Sequence, residues 1–170
     1  FENTEDFKDV ISLRYRLLPY IYSEYMKAAL TGDMYIKPIA FKYVDDEKAR
    51  VIEDQLIVGG SIMMTPILEE GKASRSVYLP EDMTMVQYNG KEFICSRVKK
   101  GNITITVKLN EVVFFVLKDK LVPIGKNIKN TREVDFDDLI LLGDGQEYKL
   151  YVDDGLTRKY TLENIRNIKR

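Results

Sequence analysis

"LRYRLLPYIYSEYMKAALTGDMYIKPIAFKY", residues 13–43, runs a long helical pattern directly into a strand pattern, with only Gly32 and Asp33 between them. Phe7, Val10, Ile11, Leu17, Leu18, Ile21, Tyr25 and Ala29 recur at spacings of three, four and seven. That periodicity predicts one apolar helical face about six turns long. Asn3 or Thr4 is placed to cap it, Glu5 and Asp6 fall in its first turn, and Gly32 stands where it should stop. Pro19 removes the amide that would bond the carbonyl of Tyr15, so a kink or a restart is expected there. "MYIKPIAF" reads as a short buried strand whose proline limits its pairing. A crossover helix ahead of such a strand predicts parallel pairing of residues 34–41 with neighbouring strands. "DDEKARVIEDQ" supplies a turn or two of helix at most. One helix and one strand joined this tightly look like a single repeat of an α/β unit whose other repeats are missing.

From Leu56 onward the pattern changes. "LIVGG", "SIMMTPIL", "SRSVYLP", "TMVQYNG", "NITITVKL", "VVFFVL", "LVPIG", "DDLILLG" and "YKLYVDDG" are strand-length runs punctuated by Gly, Pro, Asn or Asp. Turn signals every 8–12 residues or so mark an antiparallel sandwich or barrel. A boundary is therefore expected near residue 55, with a β-sandwich over 56–125. In "NITITVKL" the alternation places Ile103, Ile105 and Val107 on one face and Thr104, Thr106 and Lys108 on the other. Ile62, Val77, Leu79, Phe115 and Val116 complete the expected inward set. "NG" at 89–90, "GN" at 101–102, "GDG" at 143–145 and "DDG" at 153–155 supply the positive-φ residues that tight hairpins need.

Composition narrows the chemistry. The 170 residues carry 26 basic and 27 acidic side chains and no basic stripe, which argues against a nucleic-acid partner. No apolar run approaches the ~18 residues of a membrane span. Because the chain has no histidine, Ser/His and Cys/His nucleophile pairs and histidine zinc sites are excluded from it. Its one cysteine, Cys95 in "EFICSRV", forbids an intrachain disulfide, is expected to be a buried thiol on a strand, and leans the reading toward a cytoplasmic protein. The first residue, Phe1, suggests an excised piece.

Carboxylates remain the available acid–base groups. Asp45 with Asp46, Asp135 to Asp138 in "DFDD", and Asp153 with Asp154 each offer a pair for glycosidic chemistry or a loose calcium loop. Adjacent strand residues point to opposite faces, so solvated turn acids are favoured in each case. "GDG" echoes a phosphate loop, but no helix pattern follows it, which favours a hairpin turn. Tyr15, Tyr20, Tyr22 and Tyr25 could form a sugar platform; four tyrosines spread around a helix are more often packing residues with wet hydroxyls.

The opening region resembles glycoside hydrolase family 31, the α-glucosidases and α-xylosidases, in an R-x-x-L-L-P-Y-x-Y helix followed by an x-x-P-x-x-F strand. Arg14, Arg16, Leu17, Leu18, Pro19, Tyr20, Tyr22, Gly32, Pro38 and Phe41 carry the likeness. "EDQLIVGGSIMMTPILEEG" is similar to the family's D-Q-x-x-x-G segment through Asp54, Gln55, Gly59, Pro66, Leu68, Glu69 and Gly71, and "SRSVYLPE" to its next strand through Arg75, Val77, Tyr78, Leu79 and Pro80. Beyond residue 80 the likeness thins. The chain has no Trp, Leu117 and Asp119 replace an expected Arg and Gly beside Leu109, Phe115, Val116 and Pro123, and Val152 replaces Glu in an E-D-D-G hairpin.

The resemblance implies a mixed α and β, mostly β, chain. Its parts would be the end of a catalytic (β/α)₈ TIM barrel (1–55), a proximal antiparallel β-sandwich (56–125) and part of a distal β domain (126–170). It also implies a retaining α-glucosidase that hydrolyses terminal α-linked glucose from oligosaccharides, using two carboxyls ~5–5.5 Å apart. No stretch here matches either catalytic motif. The chain is thus expected to be inactive alone, with no catalytic, cofactor-binding or metal residues and no cofactor. Its partner would be the N-terminal remainder of the same enzyme. A non-catalytic carbohydrate-binding β-sandwich module and an α-xylosidase of the same family are the alternatives.

Overall fold

A computed structural model of the chain describes residues 3–128 and 130–170. The helical pattern becomes two helices, α1 (Thr4–Arg16) and α2 (Leu18–Thr31), broken at Leu17. Pro19 sits in the first turn of α2, where its fixed φ and missing amide cost nothing. Gly32 ends α2 in the left-handed region at φ 72°. Asn3 stands at the start of α1, but its side chain makes no capping bond.

The strand after the helices overturns the expectation of parallel pairing. β1 (Ile36–Pro38) pairs antiparallel with β2 (Leu56–Val58), Ile36 opposite Val58 and Pro38 opposite Leu56. A proline with no amide to donate suits the outermost strand of a sheet. The chain then tightens into a 3₁₀ turn at Ile39–Phe41 instead of running on. "DDEKARVIEDQ" gives only a 3₁₀ turn at Ala49–Val51, whose entry Asp46 caps by accepting the Lys48 and Ala49 amides.

The later strands are β3 (Ile62–Met64), β4 (Ser74–Leu79), β5 (Met83–Tyr88), β6 (Phe93–Val98), β7 (Gly101–Thr106), β8 (Val112–Val116), β9 (Leu121–Ile124), β10 (Ile140–Gly143), β11 (Glu147–Tyr151) and β12 (Ile165–Lys169). Six of the twelve strands form one antiparallel sheet in the order β1-β2-β3-β8-β5-β6, and β4–β7, β9–β10 and β11–β12 form two-stranded sheets.

Both faces of the large sheet are covered. Phe114 belongs to one core and its neighbour Phe115 to the other, as do Ile62 and Met63, and Val58 and Ile57. Strands buried on both faces have no polar side, which is why "VVFFV" reads as an unbroken apolar run. The first core joins the sheet to Tyr20 of α2, to Leu121 and Ile124 of β9 and to Leu150 of β11. The second joins the opposite face to Val77 and Leu79 of β4 and Ile105 of β7. The expected inward residues Ile62, Val77, Leu79, Ile105, Phe115 and Val116 are buried; Ile103 and Val107 are half-buried, and Thr104 and Thr106 face solvent.

The helical pair presents a different face from the one its apolar spacing suggests. Phe7, Ile11 and Tyr25 are 63%, 52% and 55% exposed, whereas Ser23 and Glu24 are buried. α2 turns a partly polar side inward because backbone groups and phenols await it there. Cys95 does lie on a strand, β6, but at the outer edge of the large sheet, so its thiol is exposed. "GDG" is a turn but not a hairpin: β10 pairs with β9, and β11 with β12.

Candidate functional site: a buried polar junction

The densest buried polar cluster joins α2 to the β2–β3 turn and to β11. Tyr20 is fully buried; its hydroxyl donates to the Val58 carbonyl at 2.6 Å and accepts from the Ser61 and Ile62 amides at 2.9 and 3.1 Å. One phenol thereby satisfies three backbone groups of the turn. Four residues on, the Glu24 carboxylate accepts from the Gly60 amide at 2.7 Å and from the Tyr148 hydroxyl at 2.6 Å, and is ion-paired with Lys27. Lys27 also lies 4.4 Å over the Tyr148 ring. Ser23 donates to the Pro19 carbonyl at 2.7 Å and accepts from the Tyr151 amide at 2.9 Å.

Gly59 is required at the centre of this junction. Its φ is +62°, and a Cβ there would fall 2.3 Å from Glu24 Cγ. Burial first, and then the charge of Glu24, push the hydroxyls of Tyr20 and Tyr148 well above the ordinary tyrosine range. Both phenols therefore stay protonated and keep donating. Every oxygen of the Glu24 carboxylate is engaged, which makes the group a dock and not an acid–base catalyst.

Arg16 closes the other end of the helical pair. Its guanidinium donates to the Gly125 and Lys91 carbonyls at 3.2 and 3.3 Å and sits 4.4 Å over the Phe93 ring. The Gly125 amide returns a 2.7 Å bond to the Arg16 carbonyl.

The acidic pairs are turn acids. Asp154 accepts from the Leu156 and Thr157 amides at 3.0 and 2.8 Å, Asp153 from the Gly155 amide at 3.0 Å and from the Tyr22 hydroxyl. Asp135 accepts from the Asp137 amide at 2.8 Å. Asp46 accepts from the Tyr78 hydroxyl at 2.7 Å, which holds its carboxyl below the usual range. Among the described residues no group of three or more His, Cys, Asp or Glu could hold a metal ion. No helix among them is long and apolar enough to cross a membrane. The four helical tyrosines do not form a platform: Tyr20 is buried with its hydroxyl dry, Tyr22 reaches Asp153, and Tyr25 is exposed.

The sequence model of the glycosyl hydrolase family 31 C-terminal domain matches residues 32–122. The chain belongs to glycosyl hydrolase family 31. It is 32% identical over 168 residues to a probable alpha/beta-glucosidase of Aspergillus flavus, covering 94% of this chain and 19% of that protein. An alpha-glucosidase of Saccharolobus solfataricus is 29% identical over 167 residues, covering 88% of this chain and 24% of that one. A family 31 dextranase of Flavobacterium johnsoniae, solved with glucose, superposes with a TM-score of 0.77 at 25% identity, over 98% of this chain and 21% of its own. The chain thus spans about a fifth of the length of the curated relatives it matches.

Several of the residues that carry the family 31 resemblance build internal joints. Arg16 and Tyr20 dock the helices. Gln55, 2% exposed, clips the large sheet to β4 by donating to the Tyr78 carbonyl at 2.7 Å and accepting its amide at 2.9 Å. Asp54 pairs with Arg75 at 2.6 Å, and Arg75 also donates to the Pro66 carbonyl at 2.6 Å. Asp119, standing where the family pattern has Gly, is the described non-glycine residue at positive φ, 56°; its amide donates to Asp144 at 2.9 Å. Sequence reasoning did not find Glu24, Ser23 or Tyr148. The one available signal was two polar residues on the side of α2 that also carries Tyr20.

Proposed function

We propose that this chain is the non-catalytic C-terminal part of a retaining α-glucosidase that removes terminal α-linked glucose from oligosaccharides. One observation carries the reading: Arg16, Tyr20, Gln55 and Arg75, among the residues that carry the family 31 resemblance, are spent on internal joints, and the acidic pairs on turns. Retaining cleavage needs two carboxyls held ~5–5.5 Å apart across one bond. Those aspartates belong to the larger part of the polypeptide that the relatives possess.

In this reading the helical pair of residues 4–31 lies against a (β/α)₈ barrel, residues 56–125 form the proximal β-sandwich, and residues 126–170 contribute to a distal β domain. β1, within residues 1–55, pairs antiparallel with β2 and so shares the large sheet with the strands of the sandwich. Exposed Phe7, Ile11 and Tyr25, beside an apolar groove of about 320 Å³ lined by Val10, Leu17, Ile21 and Ile36, give the upstream polypeptide a surface to cover.

The chain alone should release no glucose from maltose, whereas the complete polypeptide should. Turnover by the chain, abolished by Asp153→Asn or Asp154→Asn, would overturn the proposal. An α-xylosidase is the second reading, since an alpha-xylosidase of S. solfataricus is 30% identical over 154 residues. Comparing release of glucose and xylose by the complete polypeptide separates the two.

A further inference from the structure

The two ends of the large sheet are finished differently. β1, at one end, is three residues long and carries Pro38, features that keep a further strand from joining. β6, at the other end, is six residues long, "FICSRV", with one charge and no proline. Among the described residues no strand pairs with its outer side, and Ile94, Cys95, Ser96 and Arg97 are all exposed.

Register decides which backbone groups look outward. The Asn89 amide bonds the Glu92 carbonyl across the β5–β6 turn, so the bonded pairs of that ladder are Gln87–Ile94, Met85–Ser96 and Met83–Val98. The bond from the Leu117 amide to the Ser61 carbonyl, followed through β8 to β5, gives the same alternation. The amides and carbonyls of Phe93, Cys95 and Arg97 therefore point away from β5, and among the described residues none of them is bonded.

This row of partial charges is complementary to itself. A half-turn about an axis beside Cys95 brings donors onto acceptors: Cys95 falls opposite its own copy, and Phe93 opposite Arg97 of the second molecule. Each facing pair then exchanges two backbone bonds, and any shift of register forfeits some of them. Ile94, 53% exposed, lies opposite Gln87 and so on the β4–β7 side; there it lands diagonally across from its copy, and the two aliphatic side chains leave water together. Past the strand ends Lys91 approaches Lys99, whose charge Asp82 already answers at 2.8 Å.

We propose that β6 is the interface for a second copy of this chain, the two strands pairing antiparallel about Cys95 and joining two large sheets into one. The inference rests on the strand edge and not on the activity assigned to the larger polypeptide.

Sedimentation of the complete polypeptide, from about 1 μM to about 1 mM, tests it, since an edge contact of this size corresponds to a Kd on the order of 100 μM. A monomer–dimer equilibrium is expected, with a Cys95–Cys95 linked peptide recovered after treatment with bis(maleimido)ethane. Cys95→Pro removes an outward amide and no bond of the β5–β6 ladder, so it should raise the Kd about tenfold or more, whereas Cys95→Val should not. Ile94→Lys, which sets two like charges across the axis at an exposed site, should weaken the dimer to a similar degree. A monomer at every concentration, or a dimer indifferent to both Cys95→Pro and Ile94→Lys, would overturn the proposal. So would protection of the Phe93, Cys95 and Arg97 amides from hydrogen exchange that does not vary with concentration, which would assign the edge to another strand of the same polypeptide.

Discussion

The two faces of the large sheet are joined to their covers in different ways. On one face β4–β7 is held by apolar packing and by the Gln55 clip on the Tyr78 backbone, with Arg75 on Asp54 and Pro66 and the Tyr78 hydroxyl on Asp46 at its margin. On the other, α2 is held by Tyr20, Ser23 and Glu24, buried side chains that each bond groups distant in sequence. Apolar contact is tolerant of sliding, whereas a phenol bonded to three backbone groups admits one position. The helices are thus fixed in orientation by polar bonds while an apolar stripe stays exposed, an arrangement suited to elements that must present a surface to something else.

The largest effect should come from the helical side. Tyr20→Ala removes a fully buried ring and orphans three backbone groups, so urea unfolding should show a loss of about 4 kcal/mol. On the other face Gln55→Ala strips a backbone amide and carbonyl of one partner, and the same titration should read about 2 kcal/mol. If the two losses came out equal, the contrast between the faces would fail.

A pH series sharpens the comparison. The phenols of Tyr20 and Tyr148 titrate above their unfolded value near 10, so the stability they contribute is fully present below about pH 10 and lost as pH rises through the folded-state values. Melting temperature should fall above about pH 10, less steeply in Tyr148→Phe. A wild-type slope no steeper than the variant's would remove Tyr148 from the account. The smallest change expected is a gain: Asp119→Gly relieves a left-handed backbone and should add about 0.5 kcal/mol to unfolding free energy, less whatever the Asp144 contact loses by rearrangement.

Much of the β architecture was legible because period-two alternation and turn residues are local signals. "NITITVKL" announced its faces, and Pro19 and Gly32 marked where α2 begins and ends. Three features were not legible. β1's direction depends on which distant strand meets it, and its partner is 20 residues away behind two 3₁₀ turns. Cys95 looked like a core thiol because nothing in "EFICSRV" says that β6 will be outermost. The junction of Tyr20, Glu24 and Tyr148 escaped because helical periodicity scores hydrophobicity, and the inward side of α2 is partly polar. Asp119 shows that a departure from the family pattern need not change the backbone: it takes the left-handed conformation that glycine would occupy.

Polar side chains dock the helices independently of the opposite face. Native-state hydrogen exchange in Glu24→Gln measures it most directly. Amides of α2, the β2–β3 turn and β11 should lose protection, while those of β4 and β7 keep theirs. Equal loss across both covers, or no loss in α2, would contradict it.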